Sequence, residues 1–489
     1  MNRSFPISHT PWPHTLGLSR RALLAGAMNG FGALAMCQMM ARENLRANSS
    51  LGNINAILPR RRAKNCIFLF MAGGVSQMDS FEYKPVLNAL HGQRIPQVPH
   101  VAPGELQGKL TFPHVCVGSP FRFQRYGQSE RYLSELFPNL AQHVDDLAFI
   151  HGIEVDNQNH GPATLHVNTG SPFPGSPSVG AWIQYGLGSE NENLPGYIVI
   201  QDPRGAPTNG AAVWGNGYLP AAHQGILLRP SGTPIIDLAR PHGVTVEQQR
   251  LEFDAIAWLN HRELQESRNS ELEARISAYE MAFRLQTAAP ELVDIEGETE
   301  QTKRLYGLDN PHTADFGRQC LLARRMVERG VRHTLLVHGV QIGTHSWDDH
   351  GDVKSGMIKH CREVDWPVAG LLTDLKQRGL LDETLVVWSS EMGRSPILNG
   401  KLGERPGRDH NGYALCMWMA GGGVKGGSTA GQTDEFSLRS IGEGIHIRDI
   451  HATLLYLMGL DEGRLTWLHA GRLRKLTDIG GQVLHEIIT

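Results

Sequence analysis

The stretch CIFLFMAGG, residues 66–74, decides the fold class of this 489-residue chain. It is short, continuously apolar and closed by glycines, which is typical of a buried parallel strand that ends in a tight turn. Five later stretches have the same character: LAFIHG (147–152), GYIVIQ (196–201), VRHTLLVHG (331–339), ETLVVWSSE (383–391) and YALCMWMAGGG (413–423). Because such strands need cover on both sides, the sequence predicts an α/β fold with a mostly parallel central sheet and helices on both faces.

Helical periodicity occupies much of the sequence between these strands. Charged and apolar residues recur at three and four positions over residues 246–285, 314–329 and 366–378. Residues 203–234 are instead rich in Gly, Pro and Asn, which predicts a long surface loop or an insertion near the functional site. We interpret residues 60–489 as a single large α/β domain with insertions.

The composition is that of a globular protein and excludes one class of partner. Hydrophobic residues make up 40% of the chain and charged residues 19%, so a large core is available and wholesale disorder is not expected. The net charge is −3 and no basic stripe is present, so nucleic acid is not an expected partner. The 23 histidines suit metal ligation without proving it.

Residues 1–50 are interpreted as an export signal and linker. SRRALL (19–24) precedes a Gly/Ala-rich apolar stretch that extends to about residue 41, and Glu43 is the first acidic residue. This pattern resembles a twin-arginine signal and predicts an exported, periplasmic protein. The alternative is a membrane anchor, but Asn29, Gln38 and three glycines interrupt a run near the minimum of about 18 residues for a spanning helix. We therefore expect no stable membrane span in the mature form.

The cysteines predict neither a zinc knuckle nor a disulfide framework. Cys66, Cys116, Cys320, Cys361 and Cys416 follow the signal, an odd number without a C-x-x-C pair. Buried thiols are the expected state.

Acids and histidines gather at the ends of the predicted strands. In an open parallel sheet the ligand crevice lies beyond the carboxyl ends of the strands, so side chains that follow strands are the first to consider. The candidates at these positions are Ser76 and Asp79, His160 and His166, Asp348 and His350, Glu391 and Arg394, and finally Asp409 and His410 just before the last strand.

These candidates differ in what each indicates alone. Asp348 and His350 project to one side of an extended loop, so a carboxylate and an imidazole can converge on one cation. Asp79 binds a metal or merely caps a turn, whereas an isolated His160 would more often be structural. Glu391 is a further ligand candidate, and Arg394 could pair with an anionic oxygen group. Together the four strand ends predict a polynuclear metal site.

Four stretches resemble the alkaline phosphatase superfamily, and especially its sulfatase branch. They are RGLLDETLVVWSSEMG, IRDIHATLLYLMGL, MAGGGVKGG and the segment from His160 to Gly170. The resemblance implies an alkaline phosphatase-like fold. It also places His160 where sulfatases have a Cys or Ser that becomes formylglycine, within C/S-x-P-x-R. Here Pro162 is in register but Thr164 replaces the Arg, so a formylglycine sulfatase is disfavoured.

A closer likeness is to an exported, sulfatase-like bacterial family of unknown function. Its motifs match GG-x-S-x-x-D (73–79), WD-x-H (347–350), SE-x-GR-x-P (390–396), the RDH segment (408–410) and IHATLL with His451. Met392 stands where related metal sites have a His or Asn, and the acidic pair expected after the first strand is replaced by Ala72-Gly73-Gly74. The usual two-metal phosphatase site therefore cannot simply be transferred to this chain.

Two hypotheses about function follow. The first is a metal-dependent hydrolase of phosphate or sulfate esters, acting on a small molecule or a polysaccharide. A divalent metal is expected, and mixed oxygen and nitrogen ligands suit Zn, Mn or Fe better than Ca. The predicted metal ligands are Asp79, His160, Asp348, His350, Glu391, Asp409 and His410. The predicted catalytic residues are His160, Arg394, Ser76 and His166, with His160 as ligand, base or nucleophile. The second hypothesis is a non-catalytic exported binding protein that retains an anion or metal pocket.

Overall fold

The six apolar stretches form strands of one mixed sheet. The computed structural model describes residues 56–58, 61–95, 115–232, 234–235, 240, 242–267, 270–340, 345–399 and 405–489, and the predicted signal and linker lie outside them. Within the described residues the strands are β1 (Asn65–Met71), β2 (Phe123–Tyr126), β3 (Arg131–Ser134), β4 (Leu147–Glu154), β5 (Tyr197–Ile200), β6 (Ile226–Leu227), β7 (His333–His338), β8 (Thr384–Ser389), β9 (Gly393–Asn399), β10 (Gly407–Asn411), β11 (Leu415–Ala420), β12 (Thr429–Ala430), β13 (Ile445–His446), β14 (Trp467–His469) and β15 (Arg472–Arg474).

Strand direction in the main sheet is parallel with one exception. The nine-stranded sheet has the order β12-β4-β11-β8-β1-β7-β5-β6, and β13 also pairs with β4. All of these pairings are parallel except those of β11, which runs antiparallel to both β4 and β8. The predicted α/β fold with a mostly parallel sheet is thereby confirmed.

Both faces of the sheet are buried under helices. Ile67 and Leu69 of β1 belong to one core cluster together with Leu371, whereas Phe68 belongs to a second cluster with Trp182. Successive residues of a strand point to opposite faces, so this alternation means that β1 is covered on both sides. Burying these apolar side chains accounts for the continuous hydrophobic run that the sequence shows.

The helices largely follow the predicted periodicity, with two differences. They are α1 (Gln77–Ser80), α2 (Pro85–Ala89), α3 (His160–Thr169), α4 (Val179–Leu187), α5 (Val246–Ser267), α6 (Ser270–Val293), α7 (Glu300–Leu305), α8 (Ala314–Glu328), α9 (Val353–Gln377) and α10 (Ile447–Leu457). The helix predicted over 246–285 is described as two, α5 and α6. The helix predicted over 366–378 begins much earlier and carries Pro367 in its interior.

Short 3₁₀ helices complete the described secondary structure, at Leu140–Asp146, Gly210–Trp214, Ala221–His223, Leu381–Glu383 and His485–Ile487. The Gly/Pro/Asn-rich segment predicted near the site contains two of them together with the edge strand β6. It reaches α3, because the side-chain amide of Asn209 donates to the carbonyl of Gly161 at 2.7 Å.

Two further expectations concern cysteines and membranes. Cys66, Cys116, Cys320, Cys361 and Cys416 are all free and buried, as predicted. Among the described helices, none combines the length and apolar character that crossing a membrane requires.

Candidate metal centre

Four side chains with metal-binding atoms meet at the carboxyl rim of the parallel strands. His160 is the first residue of α3, which follows β4; Asp348 and His350 follow β7; His410 lies in β10, just before β11. One ligand atom from each lies within 4.8 Å of all the others. We call these four residues the His-Asp cluster. The structure thus brings together four of the seven predicted ligands.

Asp348 is the hub of the His-Asp cluster. Its Oδ1 lies 2.9 Å from Nε2 of His350 and 3.1 Å from Nε2 of His410, and its Oδ2 lies 3.2 Å from Nε2 of His160. The Nη2 of Arg394 donates to Oδ1 at 2.6 Å. Burial alone would raise the pKa of this carboxyl group, but hydrogen bonds to the three imidazoles and the charge of Arg394 hold the pKa far below its ordinary value. Asp348 is therefore an ionised carboxylate, the state that a metal ligand needs.

Glu391 fixes the ring of His160 from behind. Its Oε1 lies 2.8 Å from Nδ1 of His160, and its carboxylate also accepts hydrogen bonds from the backbone N–H groups of Gly73, at 2.8 and 2.9 Å, and of Gly74, at 3.2 Å. An ionised carboxylate can only accept, so the imidazole proton lies on Nδ1 and the lone pair of Nε2 points toward Asp348. Imidazole ligands of metals are held by outer carboxylates in this way.

The Nε2 atom of His160 lacks a well-placed hydrogen-bond partner. It is buried and lies 3.2 Å from Oδ2 of Asp348, but the two atoms do not reach full hydrogen-bond geometry. Burial alone would lower the pKa of His160, but the two neighbouring carboxylates, of Asp348 and Glu391, outweigh burial and raise the pKa to about 9. A positive charge is therefore favoured between Nε2 and the Asp348 carboxylate, and either a proton or a cation can supply it.

The spacing within the His-Asp cluster fits direct coordination. Nε2 of His350 and Nε2 of His410 are 3.0 Å apart, and the contacts to Asp348 are of similar length. Tetrahedral ligands at bond lengths of about 2.0–2.2 Å lie about 3.3–3.6 Å from one another, so a small outward shift of these side chains would accommodate a metal ion. The side chains of these residues are 18–35% exposed, so the site is open to solvent on one side.

Asn399 lies behind His350 as Glu391 lies behind His160. The Nδ2 of Asn399 is 2.6 Å from Nδ1 of His350. A half-turn of the amide, whose two ends are nearly isosteric, would place its oxygen there instead, so Asn399 can hold the His350 ring in either tautomer. Asn399 is not predictable from the sequence, because nothing in a lone Asn at a strand end indicates contact with a ring 49 residues away.

The turn after β1 must be made of glycine. Gly73 has φ +122°, and a Cβ there would lie 2.4 Å from the backbone nitrogen of Trp347 and 2.7 Å from that of Asp348. The missing side chain lets the β1 turn approach the loop that carries Asp348. This close approach also brings the Gly73 N–H to Glu391.

We expect Glu391→Gln to weaken metal binding by about 10–100-fold, because the neutral amide holds the His160 proton less strongly at Nδ1. Isothermal titration of the metal-free protein with Zn²⁺ measures this change. Glu435→Gln, at an exposed position, is the matched control. Equal Zn²⁺ affinity in the Glu391 variant and the wild type would contradict the role assigned to Glu391.

Asp79 and Ser76 do not belong to the cluster, and this part of the prediction is corrected. Both oxygens of Asp79 are bound by the guanidinium of Arg408, at 2.6 and 3.1 Å, and Ser76 Oγ donates to Asp79 at 2.5 Å. The Asp79 and Arg408 side chains are fully buried. The Asp79 carboxylate is already paired with a positive charge, and Asp79 is not among the residues whose ligand atoms meet in the cluster; the hydroxyl of Ser76 is engaged with Asp79.

Arg394 and Asp409 also differ from their predicted roles. Arg394 is buried, and its guanidinium donates to the carbonyls of Gly73, Gly74, Trp347 and Arg408 besides Asp348. It positions Asp348 and is not directed at an external anion. Asp409 accepts from the backbone N–H of His410 at 2.8 Å, and its carboxylate stays 3.8 Å from the outer nitrogen of His350. Asp409 therefore lies outside the ring of candidate ligands.

His166 lies in a second group, with Asp156 and His446. Nδ1 of His166 accepts from the backbone N–H of Asp156 at 3.3 Å, and Nδ1 of His446 accepts from that of Arg448 at 3.3 Å. Backbone N–H groups can only donate, so the ring protons lie on the Nε2 atoms that face the Asp156 carboxylate. Burial lowers the pKa of His166 to about 4 and keeps it neutral. The Nε2–H groups of both rings therefore face the Asp156 carboxylate, and neither ring offers a lone pair to a metal there.

In a third group, His338, His360 and Glu363, the His338 ring is held in the same way. The indole N–H of Trp347 donates to Nδ1 of His338 at 3.0 Å, so the ring proton lies on Nε2, which is 2.9 Å from Glu363. Of the three groups among the described residues, the His-Asp cluster is the one that joins four side chains and that contains a ring, His160, held at its outer nitrogen by a carboxylate.

The fold and the rim cluster define an α/β protein with a candidate metal centre at its strand ends. A model of the family described as "Protein of unknown function (DUF1501)" matches residues 63–488, and the chain belongs to this family. This match agrees with the family resemblance seen in the sequence motifs. A comparison with curated proteins found no match.

Similar solved structures include members of several enzyme groups. The lipoteichoic acid synthase LtaP from Listeria monocytogenes is 9% identical, with 89% of this chain and 80% of that chain covered at a TM-score of 0.37. An alkaline phosphatase from the Antarctic bacterium TAB5 is 10% identical (82% and 99% covered, TM-score 0.33). A sulfatase from Pseudoalteromonas sp. is 12% identical (84% and 72% covered, TM-score 0.32). Likenesses this distant say nothing about reaction or substrate.

Proposed function

We propose that this protein is an exported, metal-dependent hydrolase of phosphate or sulfate esters. The observation that carries the proposal is the convergence of three imidazoles and one carboxylate at a rim that solvent reaches, with the His160 ring held from behind by Glu391. The predicted signal in residues 1–50 supports a location outside the cytoplasm.

The His-Asp cluster supplies three nitrogen ligands and one oxygen ligand. This donor set suits zinc or another first-row transition metal better than calcium, which prefers an all-oxygen shell. A bound metal of this kind lowers the pKa of a coordinated water and polarises an ester oxygen. Glu391 keeps the proton of His160 on Nδ1, and Arg394 holds Asp348 in place.

The start of α3 supports an anionic substrate. His160 is the first residue of this helix, so the backbone N–H groups of His160 and Gly161 and the positive end of the helix dipole lie beside the cluster. A phosphate or sulfate group at the cluster would be stabilised there. The natural ester is proposed to belong to a small molecule or a polysaccharide.

Hydroxyl groups close to the cluster in sequence are not placed as nucleophiles. Ser76 and Thr164 are 2% and 1% exposed. Water is therefore the proposed nucleophile. The same observation favours the second candidate function, a binding protein that keeps the metal pocket without catalysis.

Metal analysis and hydrolysis assays on the purified protein test the proposal together. We expect about one transition-metal ion per chain and hydrolysis of aryl phosphate or aryl sulfate that EDTA abolishes and Zn²⁺, Mn²⁺ or Fe²⁺ restores. Bound metal without any ester hydrolysis would favour the binding protein. Activity that survives complete metal removal would contradict both candidates.

A further inference from the structure

An apolar cavity of about 690 Å³ lies between the edge strand β6 and helix α6. Its apolar lining includes Trp214, Ile226, Leu227, Ile235, Met281 and Leu285. None of the lining residues belongs to the His-Asp cluster. The volume falls within the range of about 300–1,000 Å³ that is typical of small-molecule sites.

Few polar residues line the described part of the cavity, and they include one charged side chain, Arg229, and the side-chain amide of Gln184. Arg229 is the one charged residue among the described lining residues, and it is exposed at the cavity edge. Gln184 lies in the wall, where its amide nitrogen donates to the carbonyl of Ala222 at 3.0 Å, while its Oε1 is buried without a partner among the described residues.

We propose that this cavity binds a small amphiphilic carboxylate, with an apolar chain in the cavity and one anionic head group at Arg229. A single guanidinium matches the two oxygens of a carboxylate in a planar, bidentate pair. The apolar wall gives no favourable contact to a second charge, so one anionic group is the complement. This site is separate from the proposed hydrolase function and does not depend on it.

Chain length provides the first test, on the full-length protein with octanoate, decanoate and decanol below their aggregation concentrations. Each buried methylene contributes about 0.8 kcal/mol, so decanoate, with two more methylenes, should bind about 15-fold more tightly than octanoate. Titration calorimetry gives the affinities, and the fluorescence of Trp214 in the cavity wall provides a second signal. Absence of saturable decanoate binding would overturn the proposal.

Charge recognition provides the second test. Arg229→Gln should weaken decanoate binding by about 10–100-fold, because a charged hydrogen-bonded pair is lost, and should leave decanol binding unchanged. Arg472→Gln, an exposed change outside the cavity, is the matched control. Equal loss of decanoate and decanol binding in the Arg229 variant, or no loss of either, would contradict the assigned role.

A variant that fills the cavity separates specific from general apolar binding. Ala282→Phe places a ring in the cavity wall and should abolish decanoate binding. Circular dichroism of this variant checks that it folds, and the Arg229 result stands independently if it does not. Unchanged decanoate binding by a folded Ala282→Phe protein would show that the ligand binds elsewhere.

Discussion

Asp348→Asn is expected to lower the affinity for Zn²⁺ by more than about 100-fold and to leave less than a tenth of a metal ion per purified chain. Asparagine has the same shape but removes the one negative ligand of the His-Asp cluster, and this carboxylate contacts Nε2 of all three imidazoles. Changes to the outer partners of metal ligands already cost about 10–100-fold, so loss of a direct ligand should cost more. Ester hydrolysis should fall to background with the metal.

Two matched substitutions make the Asp348 result specific. Asp382→Asn, at an exposed position in the turn before β8, should leave metal content and activity unchanged. Asp409→Asn tests whether Asp409 binds the metal. The sequence predicts that it does, but its side chain lies outside the cluster. The variant should keep Zn²⁺ affinity within about tenfold of the wild type. Full metal content in Asp348→Asn would remove Asp348 from the site and the proposed function with it.

The cluster lies at the predicted edge of the sheet partly because one strand, β11, is antiparallel, which the sequence does not reveal. His410 precedes its neighbouring strand, whereas His160, Asp348 and Glu391 follow theirs. Had β11 been parallel, residues before it would lie at the opposite edge of the sheet. Since β11 runs antiparallel to β4 and β8, its beginning lies at the carboxyl rim. Apolar runs alone do not indicate strand direction, so this convergence became visible only in the structure.

Competition between partners explains why Asp79 was misassigned. A carboxylate after a strand resembles a metal ligand in sequence, but Arg408 lies 329 residues away and binds both of its oxygens. No local sequence pattern predicts an ion pair between residues so far apart in the chain. The predicted catalytic role of His166 is not supported for a related reason. The backbone N–H of Asp156, which donates to Nδ1 of His166, shows which ring nitrogen carries the proton, and the sequence does not reveal this contact. Residue type and spacing predicted the rim, whereas hydrogen-bond direction selected the ligands.

Arg408→Met is expected to lower the free energy of unfolding by about 3–5 kcal/mol. The substitution leaves the fully buried Asp79 carboxylate without its guanidinium partner, and an uncompensated buried charge is costly. Asp79→Leu should cost a similar amount for the converse reason. Urea-induced unfolding followed by circular dichroism measures both. The exposed pair of Lys64 and Glu383 is the control, and Glu383→Ala should cost less than about 1 kcal/mol.

The double variant Asp79→Leu/Arg408→Met separates the pair's effect on stability from any effect on the metal centre. Replacing both charges with apolar groups should cost at least about 1 kcal/mol less than the sum of the single changes. It is the backbone of Arg408 that accepts from Arg394 and donates to the carbonyl of Asp349, so removal of the side chain preserves these links to the loop of Asp348. We therefore expect the folded double variant to retain its Zn²⁺ affinity. Additive costs would contradict the coupling, and loss of metal by a folded double variant would show that the ion pair also positions the cluster.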